Sequence, residues 1–124
     1  MTLEFVEESV EVDDLRISIA VSRLANGTLM LVTDREHRFG TIAIGVPTPF
    51  GELSPTATSC MVGTRFQAEV RAIADVAAQK LGGIVVVNFF LSQKNASKVA
   101  SVLSVVRQVV LNLDSEETTA MNLE

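Results

Sequence analysis

Residues 15–22, Leu-Arg-Ile-Ser-Ile-Ala-Val-Ser, alternate without a break, setting Leu15, Ile17, Ile19 and Val21 on one side and Arg16, Ser18, Ala20 and Ser22 on the other. That period of two belongs to a strand with one covered face and is incompatible with an amphipathic helix. Asn26-Gly27 follows, a pair that readily takes the positive φ angles of a tight hairpin. Residues 28–33 (Thr-Leu-Met-Leu-Val-Thr) are then apolar at four successive positions, as in a strand covered on both faces. A second alternating run, 41–46, sets Ile42, Ile44 and Val46 against Thr41, Ala43 and Gly45. Residues 15–46 are therefore expected to form a meander of three antiparallel strands.

The segment 47–57 contains all three prolines, so it predicts an exposed loop, with a short strand after it at 58–62. Thr64-Arg65-Phe66-Gln67 has the form of a capping box. Behind it Phe66, Val70, Ile73, Ala74, Ala77 and Leu81 recur at helical spacing, and Gly82-Gly83 close the helix. Residues 84–91, Ile-Val-Val-Val-Asn-Phe-Phe-Leu, predict a buried strand. A second helix begins near 92–95, with a stripe of Val99, Val102, Leu103, Val106, Val110 and Leu113. Val105 and Val109 widen that stripe, which suggests packing on the sheet and on a second subunit. The segment 3–12 alternates poorly and fits an edge strand.

The expected architecture is α+β: an antiparallel β-sheet of about six strands with two helices on one face, in the order β-β-β-β-β-α-β-α. Residues 1–113 form one domain, and 114–124 an acidic tail expected to be disordered. The second face of the sheet, to which Ala20, Met30, Val32 and Ala43 are assigned, is small or apolar as often as charged. It calls for a partner or a second small sheet.

A chain of 124 residues is long enough to bury its own core. Its single cysteine, Cys60, cannot form an internal disulfide. The acidic start lacks the basic and apolar regions of a secretory signal, so a cytoplasmic protein is expected. No uninterrupted apolar run approaches the ~20 residues of a membrane span. The net charge of −5 is divided unevenly: residues 1–14 hold six acids and no base, 114–124 four acids and no base, and the body between them ten bases and five acids. Scattered bases, with no Trp or Tyr to stack on, argue against nucleic acid.

Candidate chemistry centres on His37, the only histidine, inside Val-Thr-Asp-Arg-Glu-His-Arg-Phe-Gly (32–40). Asp34 and Glu36 could offer hard ligands, but Arg35 and Arg38 repel a cation there, and zinc lacks further soft ligands. A solvated turn whose mixed charges discourage edge pairing is the better reading. Cys60, beside Met61 and Val62, reads as a small core residue rather than as the nucleophile of a His37/Cys60 enzyme. The helix start at Gly63-Thr64-Arg65-Phe66 lacks the spacing of any nucleotide-binding loop. Asn26-Gly27-Thr28 and Asn95-Ala96-Ser97 match the glycosylation acceptor but read as a turn and a helix cap. No catalytic residue, cofactor or metal is expected.

Taken in order, Leu-Met-Leu-Val-Thr (29–33), a polar turn, Phe39-Gly40-Thr41 leading into 42–46, a Pro-bearing loop, Met61-Val62-Gly63, an amphipathic helix, 82–91 and the last helix resemble the small proteasome assembly chaperones of the third and fourth kind. Here a strand ends in Val32-Thr33 before a hydrophobic-Gly-Thr step, and a hydrophobic-hydrophobic-Gly step precedes the first helix, as in that family. The turn at 34–39 is longer than the family's, and the ends are more acidic. The resemblance implies a non-enzymatic homodimer or heterodimer that binds α-type subunits of the 20S proteasome and guides α-ring formation, with no catalytic residue to carry over. Contacts are expected from Arg35, Arg38 and Phe50 on the loops, and from Val105 and Val109 for self-association. The alternatives are a roadblock- or longin-like scaffold holding small GTPases, which would place a helix ahead of the first hairpin, and the His37/Cys60 enzyme.

Overall fold

The structure, a computed structural model, describes residues 3–47, 57–63 and 65–123. Six strands form one sheet: β1 (Val6–Val12), β2 (Leu15–Leu24), β3 (Gly27–Thr33), β4 (Thr41–Val46), β5 (Ala57–Val62) and β6 (Ile84–Phe90). Helix α1 (Gln67–Leu81) connects β5 to β6, and a 3-10 stretch, Gln93–Lys98, leads into α2 (Val99–Leu123). The α+β class and the element order agree with the sequence. The order of strands across the sheet, β1-β2-β3-β6-β4-β5, does not follow the expected meander. β6 lies between β3 and β4, parallel to β3 and antiparallel to β4. The most apolar strand takes the central position, where both its neighbours are strands and helices cover one side. The sheet is thus mostly antiparallel, with one parallel pair.

Two hairpins flank that centre. Asp13 and Asp14 join β1 to β2 with φ of 50° and 66°, the two left-handed positions of a tight turn, which aspartate tolerates better than most residues. β1 is the edge strand that its weak alternation suggested. At the next turn Gly27 serves a different purpose from the one its Asn-Gly pairing implies. It is the first residue of β3, paired with Leu24, and a Cβ there would collide with the carbonyl oxygen of Ile84 on β6.

Register fixes which side chains share a face. Ile17, Ile19 and Val21 of β2 align with Met30 and Val32 of β3, then Val85, Val87 and Phe89 of β6, then Ala43 of β4. All are buried, and with Val70, Ile73, Ala74 and Ala77 of α1 and Val102, Val106, Val110 and Leu113 of α2 they form one core. Each fully buried aliphatic side chain contributes about 1.5–3 kcal/mol relative to exposure. Met30, Val32 and Ala43 therefore belong to the helix-covered face, which corrects their expected assignment to the other one. On β4 size decides the orientation. A Cβ at Gly45 would collide with the Ala74 carbonyl oxygen and lie 3.2 Å from the Ala78 side chain, so α1 can lie this close only against small residues. The bulky Ile42, Ile44 and Val46 turn away.

Helix α1 starts later than the capping box implies. Phe66 is its N-cap at φ 60°, Gln67 is its first residue, and the Gln67 amide donates to the Gly63 carbonyl at 2.9 Å. Thr64 lies outside the described residues. At the other end Gly82, at φ 74°, donates its N–H to the Ala78 carbonyl as expected. Helix α2 runs through the backbone of 114–123, since neither glycine nor proline interrupts 99–123. Within it and the preceding 3-10 turns, Gln93–Leu113 has the length and mean hydropathy, 1.2, of a candidate membrane span. Val102, Val106, Val109 and Val110 face the core, while Arg107 is exposed.

Candidate interaction surface

The connection from β3 to β4 must cross the end of β6, and polar side chains pin it there. Asn88 is the one polar residue within β6 and is 5% exposed. Its Nδ2 donates to the Arg38 carbonyl and its Oδ1 accepts from the Gly40 N–H, both at 2.9 Å. One carboxamide thus replaces the ladder bonds that the crossover cannot make. Asp34 ties the start of the crossover to the beginning of the 3-10 stretch. Its carboxylate accepts from the Ser92 N–H at 2.9 Å, the Ser92 hydroxyl at 3.0 Å and the Asn95 amide at 2.7 Å. Partial burial opposes ionisation of Asp34, but the hydrogen bonds from Asn95 and Ser92 outweigh it and hold its pKa below the ordinary aspartate value. Because Ser92 is engaged in this way, it does not cap the helix with its side chain.

His37 projects from the same crossover and meets Glu7 of β1, Nε2 to Oε2, at 3.0 Å. Both partners are partly exposed, with 34% and 54% of the side-chain surface accessible. Arg38 pairs with Glu36, whose pKa is lowered by a backbone hydrogen bond at Glu36 itself and then by Arg38. Cys60 lies on β5, at the opposite edge of the sheet from β1. With four strands between those edges, the fold does not bring His37 and Cys60 together. Among the described residues no three His, Cys, Asp or Glu side chains cluster as a metal site would require. The histidine-bearing stretch that singled itself out in the sequence is a pinned crossover.

The broader feature is the face of the sheet opposite the helices. Register places Leu24, Leu29, Leu31, Ile42, Ile44, Val46, Ile84, Val86 and Phe90 on it together. Leu24 is 47% exposed, Ile84 40% and Val46 38%, and the rest are half-buried. Both helices pack on the other side; the crossover closes one end of this face through Asn88 and Glu7, and among the described residues no helix or strand covers the rest. Exposed apolar patches of this kind are found at protein–protein contact sites. The second face is apolar, as the sequence suggests, but its apolar residues come from Leu24, Leu29 and Leu31 and from β4 and β6 rather than from Met30, Val32 and Ala43.

The remaining predicted contacts fall in different places. Arg35 is exposed on the crossover, and Arg38 sits with its guanidinium 5.1 Å from the centre of the Phe90 ring, at the end of the open face. Phe50 lies outside the described residues, as does the loop 48–56. Val109 is 7% exposed within the core, and Val105 is half-buried against it. The sequence pointed to Asp34 only as a possible metal ligand, a role the structure replaces with a clasp on Ser92 and Asn95, and did not point to Asn88 or the Ile42/Ile44/Val46 row. The row was legible as an alternation, and Asn88 as a polar break in an apolar strand.

No protein-family model matches this sequence, and no curated protein matches it. Among solved structures, the fold is similar to that of a chain in a chaperone complex for yeast 20S proteasome assembly, with a TM-score of 0.71 and 12% sequence identity. The similarity covers 94% of this chain and 98% of the other. At that identity what the two share is the fold.

Proposed function

We propose that this chain is a non-catalytic assembly chaperone of the third/fourth-kind class. Through its open sheet face it pairs with a second copy or a related chain, and the resulting dimer binds α-type subunits of the 20S proteasome and promotes α-ring formation. The observation that carries the reading is the apolar face from Leu24 to Val46, not covered by either helix, in a fold that is similar over nearly its whole length to a chain of a proteasome assembly chaperone complex. Apolar faces of this extent become buried in obligate partners, and two sheets stack face to face at a spacing of ~10 Å. The small-GTPase scaffold reading is disfavoured by a strand, not a helix, ahead of β2. Sedimentation should give twice the chain mass, or a stable complex with a related chain. The purified protein should bind a recombinant α-type subunit and speed assembly of the ring. A monomer that binds no α-type subunit would overturn the proposal.

A further inference from the structure

Four of the six phenylalanines converge at the C-terminal end of β6, where Phe39, Phe66, Phe89 and Phe90 line a cup of about 240 Å³. This is smaller than the usual small-molecule pocket and of the scale of one large side chain. Phe66 and Phe89 meet edge to face at 5.9 Å, and Phe66 keeps that position at a left-handed φ of 60°, where a bulky residue is strained. Phe39, on the rim, is 84% exposed, the highest value of any large apolar residue described. An aromatic ring held in water beside a preformed aromatic hollow is the arrangement of an interface anchor.

The charged residue that lines the cup is Arg65. The Arg65 guanidinium lies 4.9 Å from the centre of the Phe66 ring and donates to the Leu91 carbonyl at 3.3 Å. Among the described residues Arg65 forms no ion pair. The acids of the adjoining crossover are already engaged, Glu36 by Arg38 and Asp34 by Ser92 and Asn95. The N-terminus of α1, without a side-chain hydrogen bond at its cap, opens beside the cup and adds positive potential.

We propose that this cup is a docking site for an acidic segment of a partner polypeptide that carries one aromatic or large aliphatic side chain. The apolar side chain enters among the four rings, and a flanking carboxylate meets Arg65. The cup adjoins the end of the open sheet face and shares Phe90 with it, but its other rings, Phe39, Phe66 and Phe89, lie off that face, so the inference does not require a proteasomal partner.

The test uses the full chain and a fluorescein-labelled peptide with one phenylalanine between two runs of three glutamates. Companion peptides replace the glutamates by glutamine or the phenylalanine by alanine. Saturable binding is expected by anisotropy, weakening as salt rises from about 50 to about 300 mM. Both companion peptides should bind less tightly. F39A and R65Q should each reduce affinity about fivefold or more, while circular dichroism and sedimentation remain those of the parent protein. Amide shifts on titration should centre on Gly40, Thr41, Gly63 and Phe89. Absence of saturation up to about 1 mM peptide, equal affinity for the glutamine peptide, indifference to both substitutions, or shifts centred elsewhere would each overturn the proposal. If R65Q disturbs the fold, F39A and the glutamine peptide decide it, since Phe39 is exposed.

Discussion

Replacing Asn88 by alanine removes one buried carboxamide and strands two backbone groups, the Arg38 carbonyl and the Gly40 N–H. Each hydrogen bond contributes about 0.5–1.5 kcal/mol net, and a buried group left unpaired costs about 1–3 kcal/mol. Water reaching the crossover would lower the cost, so N88A should lose about 2–4 kcal/mol, a large share of the 5–15 kcal/mol of a typical domain. N88D separates this hydrogen-bond account from a simple cavity. One carboxylate oxygen can still accept from the Gly40 N–H, but the other would face the Arg38 carbonyl, a second acceptor. Protonation restores a donor at that position, so the folded state holds the proton more tightly than the unfolded state and raises the new aspartate's pKa. Stability relative to the parent should then be highest at low pH and fall as pH rises through the folded-state pKa. Urea unfolding should therefore find N88D closer to the parent at about pH 4.5 than at about pH 7.5, where an ordinary aspartate is fully ionised. An N88A cost below about 0.5 kcal/mol, or an N88D deficit independent of pH, would refute the reasoning.

Asp34 should behave in the opposite sense. Its depressed pKa contributes stability above the ordinary aspartate range that is lost as pH falls through the folded value, so D34N should unfold with a flatter acid limb in a pH series of denaturant melts. G45A should lower stability by about 1–3 kcal/mol, read as a fall in the thermal midpoint, because the new methyl group forces α1 off β4. H37A should change stability by less than about 1 kcal/mol, since its pair with Glu7 is partly exposed. I84K should leave the far-ultraviolet spectrum intact and shift the sedimenting species towards the single-chain mass if the open face is the dimer contact.

The elements were legible because their evidence is local. The alternation of 15–22, the helical spacing from Val70 to Leu81 and the glycines at 82–83 each state their own conformation. Neighbours in the sheet were not legible, since periodicity assigns a side chain to a face without naming the strand beside it. That is why β6 was not expected between β3 and β4. The orientation of β4 failed for a related reason. Hydropathy favours burying Ile42 and Ile44, whereas the close approach of α1 demands the smallest side chains, Ala43 and Gly45. The clasps at Asp34 and Asn88 join residues 48–61 positions apart. In one dimension they are an ordinary turn acid and a flaw in an apolar strand.

The interior place of β6 has a consequence for biosynthesis. Without residues 84–90 the molecule is two separate ribbons, one from the first three strands and one from the fourth and fifth, with no shared edge. As the chain leaves the ribosome, neither ribbon can join the other until that late segment emerges and slots between them. The sheet must therefore close in its middle, as its last step, and the bare apolar side is assembled at the same moment.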